Sequence, residues 1–163
     1  MILALLLLIT SPPDPLAGRA SVIDGDTIEI RGQRIRLWGI DAPESRQTCE
    51  QGGQTYRCGQ RAATALDALT RDRTVTCTPV GRPDRYRRMV ARCSASWSQS
   101  AGGERATVSV ELGREMIKQG WALEFPRYSD GRYASLQRDA QRLRRGVWAG
   151  EFQRPWEWRA GDR

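Results

Sequence analysis

Histidine is absent from this chain of 163 residues. Every mechanism built on imidazole is thereby excluded, including Ser-His-Asp and Cys-His nucleophilic sites and His-ligated zinc. Any proton transfer must fall to other groups. Lysine is almost missing as well: of the 26 basic residues, all but Lys118 are arginine. The 4 cysteines contain no Cys-x-x-Cys pair, which removes the usual thiolate spacing of a zinc site. No internal repeat is visible. The apolar run Ile2–Ile9 is too short to span a bilayer.

What is present suits one soluble globular domain with a modest core, since 39% of residues are hydrophobic and 28% charged. The 26 basic residues outnumber 19 acidic ones, a net charge of +7 carried by planar guanidinium forks that can grip phosphate with two donors. An anionic polymer is the natural partner, although a solvated basic face reads the same way by composition.

The first 20 residues read as a signal peptide and linker. Ile2–Ile9 fits an h-region, and Ser11-Pro12-Pro13-Asp14-Pro15 breaks any helix that follows. Pro15-Leu16-Ala17 or Gly18-Arg19-Ala20 supplies the small-residue cleavage site, although no Lys or Arg precedes the run. Losing Asp14 and Arg19 together leaves the charge at +7. An exported protein, periplasmic or secreted, is therefore expected. Cys49, Cys58, Cys77 and Cys93 agree with an oxidising compartment. Of the three possible pairings, Cys49 with Cys58 and Cys77 with Cys93 is favoured, because both close short loops and the second pair lies on successive strands.

The body of the domain spans residues 21–150, ahead of a Trp/Arg-rich tail over 151–163. Ala20–Ile30 has strand character with a bend at Asp24-Gly25, Arg31-Gly32-Gln33 turns the chain, and Gln33–Ile40 alternates. A polar loop from Glu44 to Gly53 follows Ala42-Pro43. Gln60–Leu69 puts Ala62, Leu66 and Leu69 on one helical stripe, and Arg73–Val80 and Tyr86–Ser94 read as further strands. Ser98–Ala106 is polar enough for a mobile loop. Helices are expected over Val110–Gln119, stopped by Gly120, and over the stripe Tyr133, Leu136, Ala140, Leu143 and Val147. The tail reads as coil whose tryptophans pack on the body. These elements predict an α+β fold: a five-stranded OB-like antiparallel β-barrel with about three α-helices.

Chemistry concentrates in two segments. In Val22-Ile23-Asp24-Gly25-Asp26-Thr27 and Arg36-Leu37-Trp38-Gly39-Ile40-Asp41-Ala42-Pro43-Glu44, acids gather near neighbouring strand ends. Two carboxylates, Asp26 and Asp41, with a backbone carbonyl would make a hard-cation site with room for water. An EF-hand does not fit, because counting from Asp24 puts Glu29 where glycine is required and Ile35 where the bidentate glutamate belongs. In Asp84-Arg85-Tyr86-Arg87-Arg88, strand alternation would put Asp84, Tyr86 and Arg88 on one face and Arg85 with Arg87 on the other.

Taken with Gln119-Gly120-Trp121-Ala122 and Gly146-Val147-Trp148, these motifs resemble the staphylococcal nuclease (thermonuclease) family over residues 20 to 149. The resemblance implies that Asp26, Asp41 and the carbonyl of Ala42 ligate one calcium ion. Glu44 matches the carboxylate that holds or deprotonates the attacking water, and Arg36 and Arg88 match the arginines on the scissile phosphate. Asp24 matches an acid that tunes the site, and Tyr86 a tyrosine near the nucleotide phosphate. Arg87 stands where relatives often have glycine, which leaves either Arg87 or Arg88 pointing inward. Tyr128 is a candidate for stacking on the nucleotide.

The implied function is calcium-dependent hydrolysis of phosphodiester bonds in DNA, RNA or both without sugar specificity, by a monomer with no stable protein partner. Two alternatives stand beside it. One is a nucleic-acid-binding OB-like module with a decayed site; the other is a disulfide-stabilised envelope domain. A pure binder needs basic and aromatic groups but not this acidic cluster.

Overall fold

The computed structural model describes residues 14–102 and 104–161; the apolar run Ile2–Ile9 expected as a signal lies outside the described residues. Strands β1 (Leu16–Gly18), β2 (Ser21–Asp24), β3 (Thr27–Ile30) and β4 (Gln33–Leu37) come first. Alternation drives them: Ile28, Ile30, Ile35 and Leu37 are all buried, while Arg34 and Arg36 point to the other side of β4. Each such aliphatic side chain contributes about 1.5–3 kcal/mol by leaving water. Arg31 and Gly32, both at positive φ, form the two-residue loop between β3 and β4.

Short strands β5 (Ile40–Asp41), β6 (Cys49–Gln51) and β7 (Gln54–Tyr56) lead to helix α1 (Cys58–Thr70). Cys58, Ala62, Leu66 and Thr70 recur every four residues on its buried face. Strand β8 (Thr74–Pro79) then pairs antiparallel with the long strand β9 (Met89–Ala101). Cys77 and Cys93 stand directly opposite each other in that ladder and are bridged, as are Cys49 and Cys58. The loop closed by Cys77–Cys93 is long enough to remove about 3 kcal/mol of unfolded-chain entropy.

The main sheet runs β1-β8-β9-β4-β3-β2, and its single parallel ladder joins β4 to β9. This is the α+β, OB-like arrangement expected, and among the described residues no ladder joins β1 to β2 to close the barrel. Leu16–Gly18, expected within the leading linker, is a sheet strand with Leu16 opposite Cys77. A cut after Ala20 would remove it whole.

Ser98–Ala106 is no loose loop. It is the tip of a hairpin in which β9 pairs with β10 (Glu104–Glu111), with Ser98 opposite Thr107. Because the hairpin stands away from the body, backbone pairing holds it and no apolar alternation announces it. Val110 belongs to this strand, so helix α2 spans only Leu112–Lys118, followed by Gly120 at positive φ. Strand β11 (Leu123–Glu124) pairs with β5, and a short helix α3 (Pro126–Ser129) precedes α4 (Ala134–Arg142). The expected stripe is cut short, since α4 ends at Arg142 and Leu143 is 45% exposed. Arg144 and Gly146, at positive φ, redirect the chain so that Val147 is buried in a second cluster with Cys49, Cys58 and Leu123. The tail is not coil throughout: helix α5 (Pro155–Gly161) is built from it. Helices α1, α2 and α4 correspond to those expected.

Candidate active site

Register brings the motifs together. Thr27 on β3 lies opposite Arg36 on β4, and Arg36 lies beside Val90 on β9. The turns just before β3 and β9 therefore deliver Asp26 and Arg88 to the same end of the sheet. Pairing of Leu123 with Asp41 through β5 and β11 fixes the second carboxylate. The result is a cavity of 860 Å³ whose walls include Asp24, Asp26, Arg36, Ala42, Glu44, Tyr86, Arg88 and Tyr128, a volume suited to a nucleotide-sized ligand.

Two close contacts hold the acidic segments in place. A side chain on Gly25 would meet the Cβ atoms of Ala42 and Ala62, both at 2.7 Å, so glycine lets the Asp24–Asp26 turn lie against α1. A Cβ on Gly59 would fall 1.8 Å from the Glu44 carbonyl oxygen. The loop bearing Glu44 rests directly on the first turn of α1.

Asp26 and Asp41 are 4% and 0% exposed and share one nitrogen of Arg36, which lies 3.2 Å from Asp26 Oδ2 and 2.8 Å from Asp41 Oδ1. The Thr27 hydroxyl and the Ala42 amide donate to Asp26 at 2.9 and 3.2 Å. Burial still outweighs the Arg36 charge, and the neighbouring charges of Asp24 and Asp41 add to it, so the Asp26 carboxyl is lifted from 3.8 to about 7. Asp24 accepts the Asp26 amide at 3.0 Å and sits on the cavity wall.

Arg88, not Arg87, reaches inward. Its Nε donates to Asp84 at 2.8 Å and its Nη1 to the Thr27 hydroxyl at 3.2 Å, while Arg87 is exposed. The strand expected over Tyr86–Arg88 is in fact a turn, because the Asp84 carboxylate captures the amides of Tyr86 and Arg88 and Arg87 takes φ 63°. Burial pushes the Asp84 carboxyl up, but the hydrogen bonds and charge of Arg88 outweigh it and hold the group below the usual range. Tyr86 and Tyr128, 64% and 55% exposed, stand on the rim of the same cavity. Arg85 donates to the Tyr86 hydroxyl at 2.7 Å, and Phe125 packs on Tyr128 with ring centroids 5.0 Å apart.

Three contributors escape a reading of the motifs. Thr27 links Arg88 to Asp26 through one hydroxyl. Gln47, fully buried, accepts the Glu44 amide at 3.1 Å and donates to the Gln153 carbonyl at 2.7 Å. Arg159 on α5 is the largest omission: its guanidinium donates to both oxygens of Asp41, at 3.1 and 2.7 Å, and to Glu44. Burial disfavours the charges of Arg36 and Arg159, yet the carboxylates more than offset this and raise both above the ordinary arginine value. Only the crowding of arginine among the tail tryptophans hinted at Arg159.

Among the described residues, no group of three or more His, Cys, Asp or Glu side chains forms a ready metal cage. Asp26 and Asp41 are nonetheless buried hard-oxygen donors, both drawn onto guanidinium cations. That donor chemistry fits a divalent cation completed by backbone oxygen and water.

The family model described as Staphylococcal nuclease homologue matches residues 34–150. The chain is 41% identical over 140 residues to the succinoglycan biosynthesis protein ExoI of Rhizobium meliloti, covering 85% of this chain and 67% of that protein. It is 32% identical over 150 residues to a micrococcal nuclease of Shigella flexneri, covering 87% and 79% of the two chains. Over 144 residues it is 32% identical to an uncharacterized endonuclease of Escherichia coli O157:H7, covering 85% and 80%.

Proposed function

Because this chain belongs to the staphylococcal nuclease family, we propose that it is a calcium-dependent nuclease hydrolysing phosphodiester bonds of DNA, RNA or both without sugar specificity. The observation that carries the reading is the convergence of Asp26, Arg36, Glu44 and Arg88 on one cavity, with Asp41 buried beside it and ion-paired to Arg36. A pure binding surface has no use for buried paired carboxylates there, since each repels the phosphate it would have to hold.

Asp26 and Asp41, with the carbonyl of Ala42, would hold one calcium ion, which supplies Lewis-acid polarisation of the phosphate when bound. Arg36 lines the cavity from β4 and Arg88 from the turn just before the adjacent β9, and both offer donors where negative charge accumulates in the transition state. Arg36 is held rigid by Asp26, Asp41 and the Ile40 carbonyl, and Arg88 by Asp84, so little reorganisation is needed when phosphate arrives. Glu44 orients the water and takes its proton, a role left to a carboxylate because the chain has no histidine. Tyr86 and Tyr128 are the groups on which the nucleotide rests, and Asp24 steadies the turn that carries Asp26.

The two disulfides support folding in an oxidising compartment, and the proposed site of action is accordingly periplasmic or extracellular. Digestion of single- and double-stranded DNA and of RNA in calcium, in magnesium and in chelator tests the reading. Cleavage of both sugars in calcium, lost in chelator, is expected; nucleic acid bound but uncut would leave a binding module instead.

A further inference from the structure

The C-terminal segment is tied to the site at three points before it reaches the carboxylates. Glu151 exchanges two backbone hydrogen bonds with Glu50, at 2.9 and 2.8 Å. The carbonyl of Gln153 accepts from the buried Gln47, the side chain that also holds the Glu44 amide. Trp156 stacks on Phe125 with centroids 5.6 Å apart and an interplanar angle of 18°. These anchors fix α5 beside the cavity, where Arg159 joins its wall, and aim Arg159 at Asp41 and Glu44.

The guanidinium then engages both Asp41 oxygens and a Glu44 oxygen. Arg36 contacts only Oδ1 of Asp41, whereas Arg159 covers both oxygens, so a divalent cation bonded to Asp41 Oδ2 would have to stand against the Arg159 charge and be strongly repelled. Occupancy by Arg159 and by a metal ion is therefore exclusive. One oxygen of Glu44 is likewise engaged by Arg159.

Building on the calcium reading above, we propose that Arg159 is an internal cation seated in the metal position, and that α5 is a strap which a divalent ion displaces. The strap sets the cation affinity of the site. The apparent dissociation constant equals the intrinsic one divided by the open fraction, so a strap closed nine-tenths of the time weakens binding about tenfold. It also couples the tail to the site in both directions, since whatever pulls α5 away tightens calcium and calcium loosens α5.

Calorimetric titration of calcium into the wild-type protein, Arg159→Gln and Trp156→Ala tests this without any substrate. Both variants should bind calcium about tenfold more tightly than wild type, Trp156→Ala because it unstacks the strap without touching a carboxylate. In the wild type, calcium should also speed tryptic cleavage after Arg159, which precedes Ala160. Equal affinities in all three proteins would overturn the strap while leaving the calcium site standing. Calcium binding to none of them would sink both readings together.

Discussion

Arg36 and Arg88 face the same cavity but hold unlike partners, and their removal should separate accordingly. Each Arg→Ala change is expected to lower kcat about a hundredfold, the usual cost of losing a donor to the transition state. In chelator, Arg36→Ala should also lower the melting temperature, because it strips a shared donor from two buried carboxylates at a cost of up to about 3 kcal/mol. Calcium should restore much of that loss by binding the folded state alone. Arg88→Ala releases only the partly exposed Asp84 and the buried Thr27 hydroxyl, which still donates to Asp26, and should melt near wild type. Indistinguishable melting curves for the two variants in chelator would contradict the assignment. Asp26 gives a pH dependence with a definite sign. Its carboxyl is raised from 3.8 to about 7 in the folded chain, so its contribution to stability is full below about 4 and is lost as pH rises through about 7. In calcium-free urea denaturation, wild type should therefore lose stability relative to Asp26→Asn between pH 5 and pH 8; parallel pH profiles would refute it.

Elements place these residues through close backbone approaches as much as through strands. Gly59 opens α1 directly under the Glu44 carbonyl, with no room for a methyl group. Gly59→Ala should push the loop outward, cutting kcat at least about tenfold while calcium affinity, assigned by the proposal to Asp26, Asp41 and the Ala42 carbonyl, changes much less. Comparing kcat with calorimetric calcium binding checks this, and a variant with unchanged kcat would show the loop to be compliant. The turn at Asp84 works on the same scale. Two amides captured by one carboxylate carry the chain from Asp84 to Arg88, and this local chemistry overrode the alternation expected for Asp84–Arg88. The tip of the β9–β10 hairpin was missed for a different reason: residues 98–100 and 104–106 are exposed on both faces, so the period-2 signal that marks β3 and β4 is absent there.

For the whole molecule, a net charge of +7 and a cavity faced by Arg36 and Arg88 imply that polyanion binding is driven largely by counterion release. The logarithm of the duplex-DNA association constant should fall with the logarithm of salt at a slope of about −2 or steeper, measured with an inactive Glu44→Gln variant; a flat response would exclude a phosphate groove. Most of the fold and the core of the site were legible before any coordinates. Alternating Ile28, Ile30, Ile35 and Leu37 dictate a buried sheet face, the four-residue spacing in α1 dictates a helix, and the Asp-Gly-Asp and Asp-Ala-Pro-Glu segments carry their own acids. These are short-range properties, written in period and residue type. Tertiary structure alone decided that Arg88 rather than Arg87 turns inward, that Thr27 bridges two motifs, and that Arg159, 118 residues beyond Asp41 in the chain, closes on its carboxylate. Such long-range ion pairs leave no periodic trace in sequence, because the partner of a buried charge is chosen by where the packed backbone sets it down.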